Sequence, residues 1–167
     1  MEKEKPQATP SKDAIRIGHV HLTVSDLPAS IAFYRDVLGF ELTQQIGTQA
    51  AFLSSGGYHH TIGLNTWSQP HAQKPHDGQI GLYHVAILYP NRKELARALQ
   101  RLLNTKWPLD GAADHGVSES IYLKDPDGNG LELYADRPED QWPRDQDGKL
   151  KMVTEPLDVD GLLKEAD

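Results

Sequence analysis

The chain of 167 residues contains no cysteine, and this excludes several kinds of chemistry. Without cysteine there is no disulfide, no thiolate metal site and no cysteine nucleophile. Any metal ion that the protein holds must therefore be bound by histidine and carboxylate side chains. The sequence has eight histidines and 24 aspartate and glutamate residues, so ligands of both kinds are plentiful.

A long apolar run and an excess of positive charge are also missing. No apolar segment approaches the roughly 20 residues that a membrane-spanning helix needs. The chain has only 17 lysine and arginine residues against 24 acidic ones. The resulting net charge of −7 argues against nucleic acid as the partner. Residues 1–13 are polar and broken by proline, unlike a secretion signal. We therefore expect a cytoplasmic enzyme or small-molecule binding protein without a nucleic-acid or membrane partner.

Two parts of the chain repeat one order of elements. The first reads as a strand, a helix that starts at Asp26, and three short strands; its predicted strands are 15–24, 40–45, 49–54 and 59–67. After a polar linker the second part starts again with a strand and a helix; its predicted strands are 82–88, 118–123 and 131–135, with a loop at 111–116. Superposing the two parts places His19 on His84. Such a repeat indicates a duplicated module.

This pattern predicts an α+β fold in which two βαβββ modules bring their sheets face to face around a central metal cleft. The expected organisation is a disordered leader (1–13), one domain (14–136) made of two modules (14–67 and 80–136) with a linker (68–79), and an acidic C-terminal extension (137–167). We expect the extension to pack on the body of the protein and to end in a short helix.

Two histidines and one glutamate have the pattern of metal ligands. His19 and His84 occupy equivalent strand positions, and Glu132 lies in the last strand between Leu131 and Leu133. A carboxylate buried between leucines is costly unless something compensates its charge. Two histidines and one carboxylate with open positions are typical of non-haem Fe(II) oxygenases. A single strand histidine is more often an ordinary core residue, so the metal hypothesis depends on the repeat.

Three segments resemble the vicinal-oxygen-chelate superfamily, which includes glyoxalase I, bleomycin-resistance proteins, fosfomycin-resistance enzymes and type I extradiol dioxygenases. The segments are His-Val-His-Leu-Thr-Val-Ser-Asp-Leu at 19–27 with Phe-Tyr at 33–34 and Val-Leu-Gly-Phe at 37–40, Tyr-His-Val-Ala at 83–86, and Asp-Pro-Asp-Gly-Asn-Gly-Leu-Glu-Leu-Tyr at 125–134. The resemblance covers roughly residues 15–136. It implies that His19, His84 and Glu132 bind the metal.

Further segments are similar to the extradiol dioxygenases. The His-His-Thr run at 59–61 resembles a strand of these enzymes, and the resemblance implies that His60 is the acid/base near the O2 site. It also implies that Tyr122, four residues before a proline, binds a substrate oxygen and that His115 supports it. Residues 58–67, 136–143 and 153–158 resemble the catechol 2,3-dioxygenase branch in particular. Many members of that branch carry four modules, whereas this chain has two.

The resemblance implies a metal-dependent extradiol dioxygenase that cleaves a catechol-like substrate with O2 in the catabolism of aromatic compounds. Its metal would be Fe(II), with Mn(II) as an alternative, and two-module members often form homodimers. A glyoxalase-I-like lyase or a fosfomycin-type thiol transferase with Ni or Zn in the same triad stays open. The lyase is disfavoured because residues 59–65 contain no carboxylate for a fourth ligand. A metal-free drug-binding protein is the third alternative.

Three other histidines receive no ligand role from the resemblance. His21 shares the strand face of His19, and we expect it to form a wall of the pocket. His71 and His76 lie in the linker, where solvated surface positions are expected. Trp67 and Trp142 are candidates either for lining the substrate channel or for ordinary packing.

Overall fold

The computed structural model describes residues 16–68, 73–74 and 80–167. The predicted leader and most of the predicted linker, with His71 and His76, lie outside the described residues. The described residues form one sheet of four strands and one of five. No helix in the described ranges has the length and apolar character that crossing a bilayer requires.

Each module runs in the order βαβββ, which confirms the predicted α+β fold. The first contains β1 (Val20–Thr23), α1 (Leu27–Ala32), a π-helical turn (Phe33–Val37), β2 (Glu41–Ile46), β3 (Ala50–Ser54) and β4 (Ile62–Asn65). The second contains β5 (Val85–Leu88), α2 (Arg92–Asn104), β6 (Leu109–Asp114), β7 (Ser118–Lys124) and β8 (Gly130–Asp136). A 3-10 turn (Glu139–Gln141), β9 (Glu155–Pro156) and α3 (Val159–Leu163) follow. The strand order is β1-β4-β3-β2 in the first sheet and β5-β8-β7-β6-β9 in the second.

The core lies between the helices and one face of each sheet. The Asp26 side chain caps α1 by accepting a hydrogen bond from the Ala29 amide at 3.0 Å. The apolar stripe of α2 (Leu95, Leu99 and Leu102) is fully buried against the second sheet. Because the helices cover one face only, the opposite face of each sheet is left for polar side chains. The candidate site residues lie on those opposite faces.

Contacts between the helical layers hold the two modules together. The ring centroids of Phe33 and Trp107 lie 4.4 Å apart, and Arg101 Nε donates a hydrogen bond to the Val37 carbonyl at 2.8 Å. Tyr89 donates its hydroxyl to the Leu38 carbonyl at 2.9 Å, and burial raises the pKa of this phenol to about 12. These contacts fix the distance between the two sheets.

One buried hydrogen bond also joins the modules and leads to a stability prediction. Tyr34 is completely buried, and its hydroxyl donates a hydrogen bond to Asp125 Oδ2 at 3.0 Å. Burial and the Asp125 charge raise the pKa of the phenol, so Tyr34 stays protonated. We expect Tyr34→Phe to lower the free energy of unfolding by about 1–3 kcal/mol, because a buried carboxylate loses a donor. Urea unfolding measures the change. The exposed Tyr58 provides a control, since Tyr58→Phe should change the free energy of unfolding by no more than about 0.5 kcal/mol. Equal urea midpoints of unfolding for the two variants would contradict the prediction.

The structure corrects some predicted boundaries. The prediction of a loop at 111–116 was wrong for its first four residues, which belong to β6. Gly-Ala-Ala has weak strand propensity, but pairing with β7, with a bulge between Leu109 and Gly111, overrides it. The strand predicted at 59–67 is shorter, so His59 and His60 lie in the turn before β4. The strands predicted at 15–24 and 82–88 are also shorter, and each candidate histidine directly precedes its strand.

Candidate metal centre

A histidine and a glutamate meet on the open face of the second sheet. His84 directly precedes β5, and β5 runs parallel to β8, which carries Glu132. His84 Nε2 lies 3.0 Å from Glu132 Oε2, and the Glu132 side chain is only 13% exposed. Leu131 and Leu133 point into the core, so the predicted alternation of this strand is present. A nitrogen and a carboxylate oxygen therefore converge at a half-buried point.

Tyr122 connects this pair to a second histidine. Tyr122 and Glu132 are cross-strand partners of β7 and β8, and the tyrosine hydroxyl donates to Glu132 Oε1 at 3.0 Å. The same hydroxyl lies 2.6 Å from His115 Nε2. Burial and the hydrogen bond to Glu132 raise the pKa of Tyr122, so the phenol is a proton donor at neutral pH. A hydrogen-bonded row of three side chains thus ends at the carboxylate.

The C-terminal extension fixes the orientation of His115. Its Nδ1 lies 2.9 Å from the Val153 carbonyl, and the Val153 amide donates to the His115 carbonyl at 3.1 Å. Because a carbonyl only accepts hydrogen bonds, His115 Nδ1 must carry a proton. The other ring nitrogen, Nε2, is the one that contacts the Tyr122 hydroxyl. The role of the extension was not visible in the sequence, since a backbone carbonyl leaves no signal there.

Gly116 lets the C-terminal extension approach the backbone closely beside His115, and this leads to a prediction. Its φ is +73°, and a Cβ atom there would lie 2.6 Å from Pro143 Cγ and 3.2 Å from Val153 Cγ2. We expect Gly116→Ala to push the extension away from His115 and to lower kcat about 10-fold or more while bound metal is retained. Gly148→Ala is the control, because Gly148 has a similar φ of +77° but open space around it. Equal kcat in both variants would show that the close approach is unimportant.

The other two candidate histidines lie on the open side of the first sheet. The His19 and His60 rings are 4.6 Å apart, and the Phe52 ring lies 5.0 Å from His60. His59 Nδ1 is 2.7 Å from His60 Nδ1. Loss of solvent and the neighbouring imidazoles lower the pKa of His60. The lowered pKa favours a neutral His60 that is able to accept a proton.

His21 lies between two aromatic side chains. Its ring lies 6.0 Å from Phe52 and 5.5 Å from Trp67. A Cβ atom at Gly63, the partner of His21 in β4, would lie 2.9 Å from the His21 ring. The absence of a side chain at Gly63 therefore lets the ring lie flat on the sheet. Trp67 is 62% exposed, whereas Trp142 donates to the Arg137 carbonyl at 2.8 Å and packs in the C-terminal region.

The structure brings the predicted site residues together in two groups. His84, Glu132, Tyr122 and His115 form one group on the second sheet, and His19 with His60 forms the other on the first. Among residues 16–68, 73–74 and 80–167, no three histidine or carboxylate side chains are close enough to share one metal ion. His19 and His84 border the same cleft of about 1000 Å³ between the modules. The imidazole nitrogen and the carboxylate oxygens of the His84–Glu132 pair are donor atoms that suit a divalent cation.

The curated proteins that the chain resembles include two dioxygenases. The chain is 44% identical over 151 residues to a catechol-2,3-dioxygenase of Bacillus subtilis (strain 168), a match that covers 90% of this chain and 52% of the relative. It is 31% identical over 123 residues to biphenyl-2,3-diol 1,2-dioxygenase 3 of Rhodococcus globerulus, covering 72% of this chain and 63% of the relative. The chain thus spans little more than half the length of these relatives.

A solved structure and a family model extend the comparison. The crystal structure of lactoylglutathione lyase from Agrobacterium tumefaciens superposes with a TM-score of 0.56 at 27% identity, covering 74% of this chain and 96% of that one. The model of the Glyoxalase/Bleomycin resistance protein/Dioxygenase superfamily matches residues 16–133. With the two βαβββ modules and the carboxylate–histidine pair described above, this chain belongs to the Glyoxalase/Bleomycin resistance protein/Dioxygenase superfamily.

Proposed function

We propose that the protein is an extradiol dioxygenase that cleaves the ring of a catechol-like substrate with O2. The observation that carries the proposal is the row His115–Tyr122–Glu132–His84, which places a proton donor beside a carboxylate–imidazole pair. The 44% identity to a catechol-2,3-dioxygenase supports this choice within the superfamily. A cytoplasmic location and a role in aromatic catabolism remain our expectations for the protein.

The proposed reaction is balanced without a further reductant. One carbon–carbon bond of the diol ring breaks, and both atoms of O2 enter the product. The ring loses four electrons and O2 gains four, so no electron donor besides the substrate is needed. A protein that catalyses this reaction has to bind the diol, remove a proton from it and exclude competing water.

The metal proposed for this site is Fe(II), with Mn(II) as the alternative, bound by His84, Glu132 and His19. When bound, the metal would supply a positive charge that favours the deprotonated diol. His84 Nε2 and Glu132 Oε2 already lie 3.0 Å apart, and the buried surroundings of Glu132 favour a compensating cation. Tyr122 holds Glu132 in place by its hydrogen bond.

The remaining polar residues suit the proton transfers. His60, whose pKa is lowered, is able to take the proton of a diol hydroxyl and return it when the ring opens. Tyr122 donates a hydrogen bond at the carboxylate and is in reach of a substrate oxygen bound beside Glu132. The rings of Phe52, His21 and Trp67 offer an aromatic surface on which a flat substrate is able to lie.

The rival function is a lyase of the glyoxalase type, which uses a metal such as Ni or Zn without O2. The likeness to a lactoylglutathione lyase structure favours it, because the match spans 96% of that chain. Turnover of a thiol adduct under anaerobic conditions would support the rival. A thiol transferase of the fosfomycin type would likewise depend on an added thiol.

The test is metal analysis of anaerobically purified protein, followed by addition of catechol and O2. We expect iron or manganese, oxygen uptake and the yellow ring-opened product. Nickel or zinc with no oxygen uptake would overturn the proposal in favour of the lyase. A protein that binds no divalent metal would contradict both and leave a binding protein.

A further inference from the structure

Two carboxylates oppose each other where β6 and β7 meet, next to His115. Asp114 and Glu119 are cross-strand partners in these two strands. Like charges directly opposite each other on neighbouring strands are destabilising. Glu119 is only 6% exposed, so water does little to offset its charge. The pair therefore requires a cation that is close to both carboxylates.

Arg137, the residue that directly follows β8, supplies this cation. Its Nη2 donates to Asp114 Oδ2 at 2.6 Å and to Glu119 Oε1 at 3.0 Å. Its backbone is held as well, because its amide donates to the Val117 carbonyl at 2.8 Å and its carbonyl accepts from the Trp142 indole at 2.8 Å. One arginine thus joins both strands of the β6–β7 hairpin to the chain beyond β8.

The turn of this hairpin carries His115, and the Asp114 carboxylate determines its shape. Asp114 Oδ1 accepts a hydrogen bond from the Gly116 amide at 2.8 Å, while Oδ2 is the atom that Arg137 binds. His115 lies between these two hydrogen-bonded residues in the chain. Its Nε2 is 2.6 Å from the Tyr122 hydroxyl, a distance that tolerates little displacement of the ring. A shift of the Asp114 carboxylate would therefore break the contact with Tyr122.

A second arginine binds only one of the two carboxylates. Arg92, at the start of α2, donates through Nε to Glu119 Oε2 at 2.5 Å and also pairs with Glu165. Among the hydrogen bonds of the described residues, Arg92 has none to Asp114. Both arginines thus offset the charge of Glu119, but only Arg137 also holds the carboxylate that shapes the His115 turn.

We propose that Arg137 is a positioning residue of the site, which keeps His115 in contact with Tyr122 by holding Asp114 and Glu119 together. His115 is then fixed from two directions, by the Val153 carbonyl at its Nδ1 and by Arg137 through Asp114. The proposal rests on the proposed function only where it concerns turnover, since the position of His115 is measurable without a substrate.

Proton NMR of ¹⁵N-labelled, metal-free protein tests the position of His115 directly. The Nδ1 proton of His115, which binds the Val153 carbonyl, should give a slowly exchanging imidazole resonance, and its loss in His115→Gln assigns it. We expect Arg137→Met to lose this resonance or to exchange the proton at least about 10-fold faster, because the turn opens. Its circular dichroism should stay that of the wild type. A folded Arg137→Met protein with an unchanged resonance would overturn the proposal.

Arg92→Met is the matched control, because it also removes a cation from Glu119 but leaves Asp114 bound to Arg137. We expect this variant to keep the His115 resonance and the kcat of the wild type. In metal-loaded protein, Arg137→Met should lower kcat about 10-fold or more with bound metal unchanged. Equal losses of the resonance in the two variants would overturn the proposal, since they would reduce Arg137 to a general support of Glu119.

Asp114→Asn in the Arg137→Met background tests the physical cause. The amide keeps an oxygen for the Gly116 amide but removes the charge that faces Glu119. We expect the double variant to recover the His115 resonance and to have a kcat several-fold above that of Arg137→Met. If Arg137→Met does not fold, the double variant carries the test, and its failure to fold or to show the resonance would overturn the proposal. The resonance does not depend on a catechol, so failure of the proposed reaction would be seen separately.

Discussion

Glu132→Ala is expected to lower metal affinity by more than about 100-fold and to abolish turnover at ordinary metal concentrations. Loss of a group that only orients a ligand costs about 10–100-fold, and loss of the charged ligand itself must cost more. Glu132 Oε2 also lies 3.0 Å from His84 Nε2, and the glutamate side chain is only 13% exposed, so its charge is positioned beside the imidazole. Equilibrium dialysis with Fe(II) or Co(II) measures the affinity.

Tyr122→Phe is the matched control for this prediction. It removes one hydroxyl that donates to Glu132 at 3.0 Å but leaves the carboxylate in place. We expect the loss in metal affinity to stay within about 10–100-fold, with a larger effect on kcat. If Glu132→Ala bound metal as tightly as Tyr122→Phe does, Glu132 would not be a ligand.

His60→Ala is expected to reduce kcat about 10²–10⁴-fold while the bound metal is unchanged. The His60 ring lies 4.6 Å from His19 but belongs to the turn before β4, and its lowered pKa suits a proton acceptor. Removal of the His60 imidazole eliminates the proposed proton acceptor but leaves the three proposed metal ligands in place. Steady-state kinetics together with metal analysis separates the two roles.

His59→Ala is the comparison for this second prediction. His59 contacts His60 through Nδ1 at 2.7 Å and has no other role in the proposed reaction. We expect a loss of kcat of no more than about 10-fold, since only the orientation of His60 changes. Loss of metal from His60→Ala would contradict the assignment and would place His60 among the ligands.

The fold was predictable because its signals are local. The cap at Asp26, the apolar stripe of α2 and the alternation around Glu132 each follow from a few neighbouring residues. The contact between Tyr122 and Glu132 was not predicted; it arises because the tight turn between β7 and β8 makes these two residues cross-strand partners. β6 was missed over residues 111–114, since its small residues form a strand only through pairing.

The arrangement of the site depends on contacts that leave no local signal. The Val153 carbonyl that orients His115 belongs to a distant segment of the chain. The separation of His19 from the His84–Glu132 pair follows from how the helical layers pack, which periodicity in a single element does not specify. Duplication of the histidine suggested a metal in a cleft between the modules, but it did not reveal that no three ligands converge among the described residues.

The most direct test of the proposed reaction is turnover of catechol under ¹⁸O2 by the metal-loaded protein. The proposal predicts consumption of O2 in proportion to catechol and ¹⁸O in the carboxylate of the ring-opened product, as mass spectrometry will detect. Product without ¹⁸O, or turnover of a thiol adduct with no consumption of O2, would contradict the dioxygenase and establish the lyase chemistry of the same superfamily.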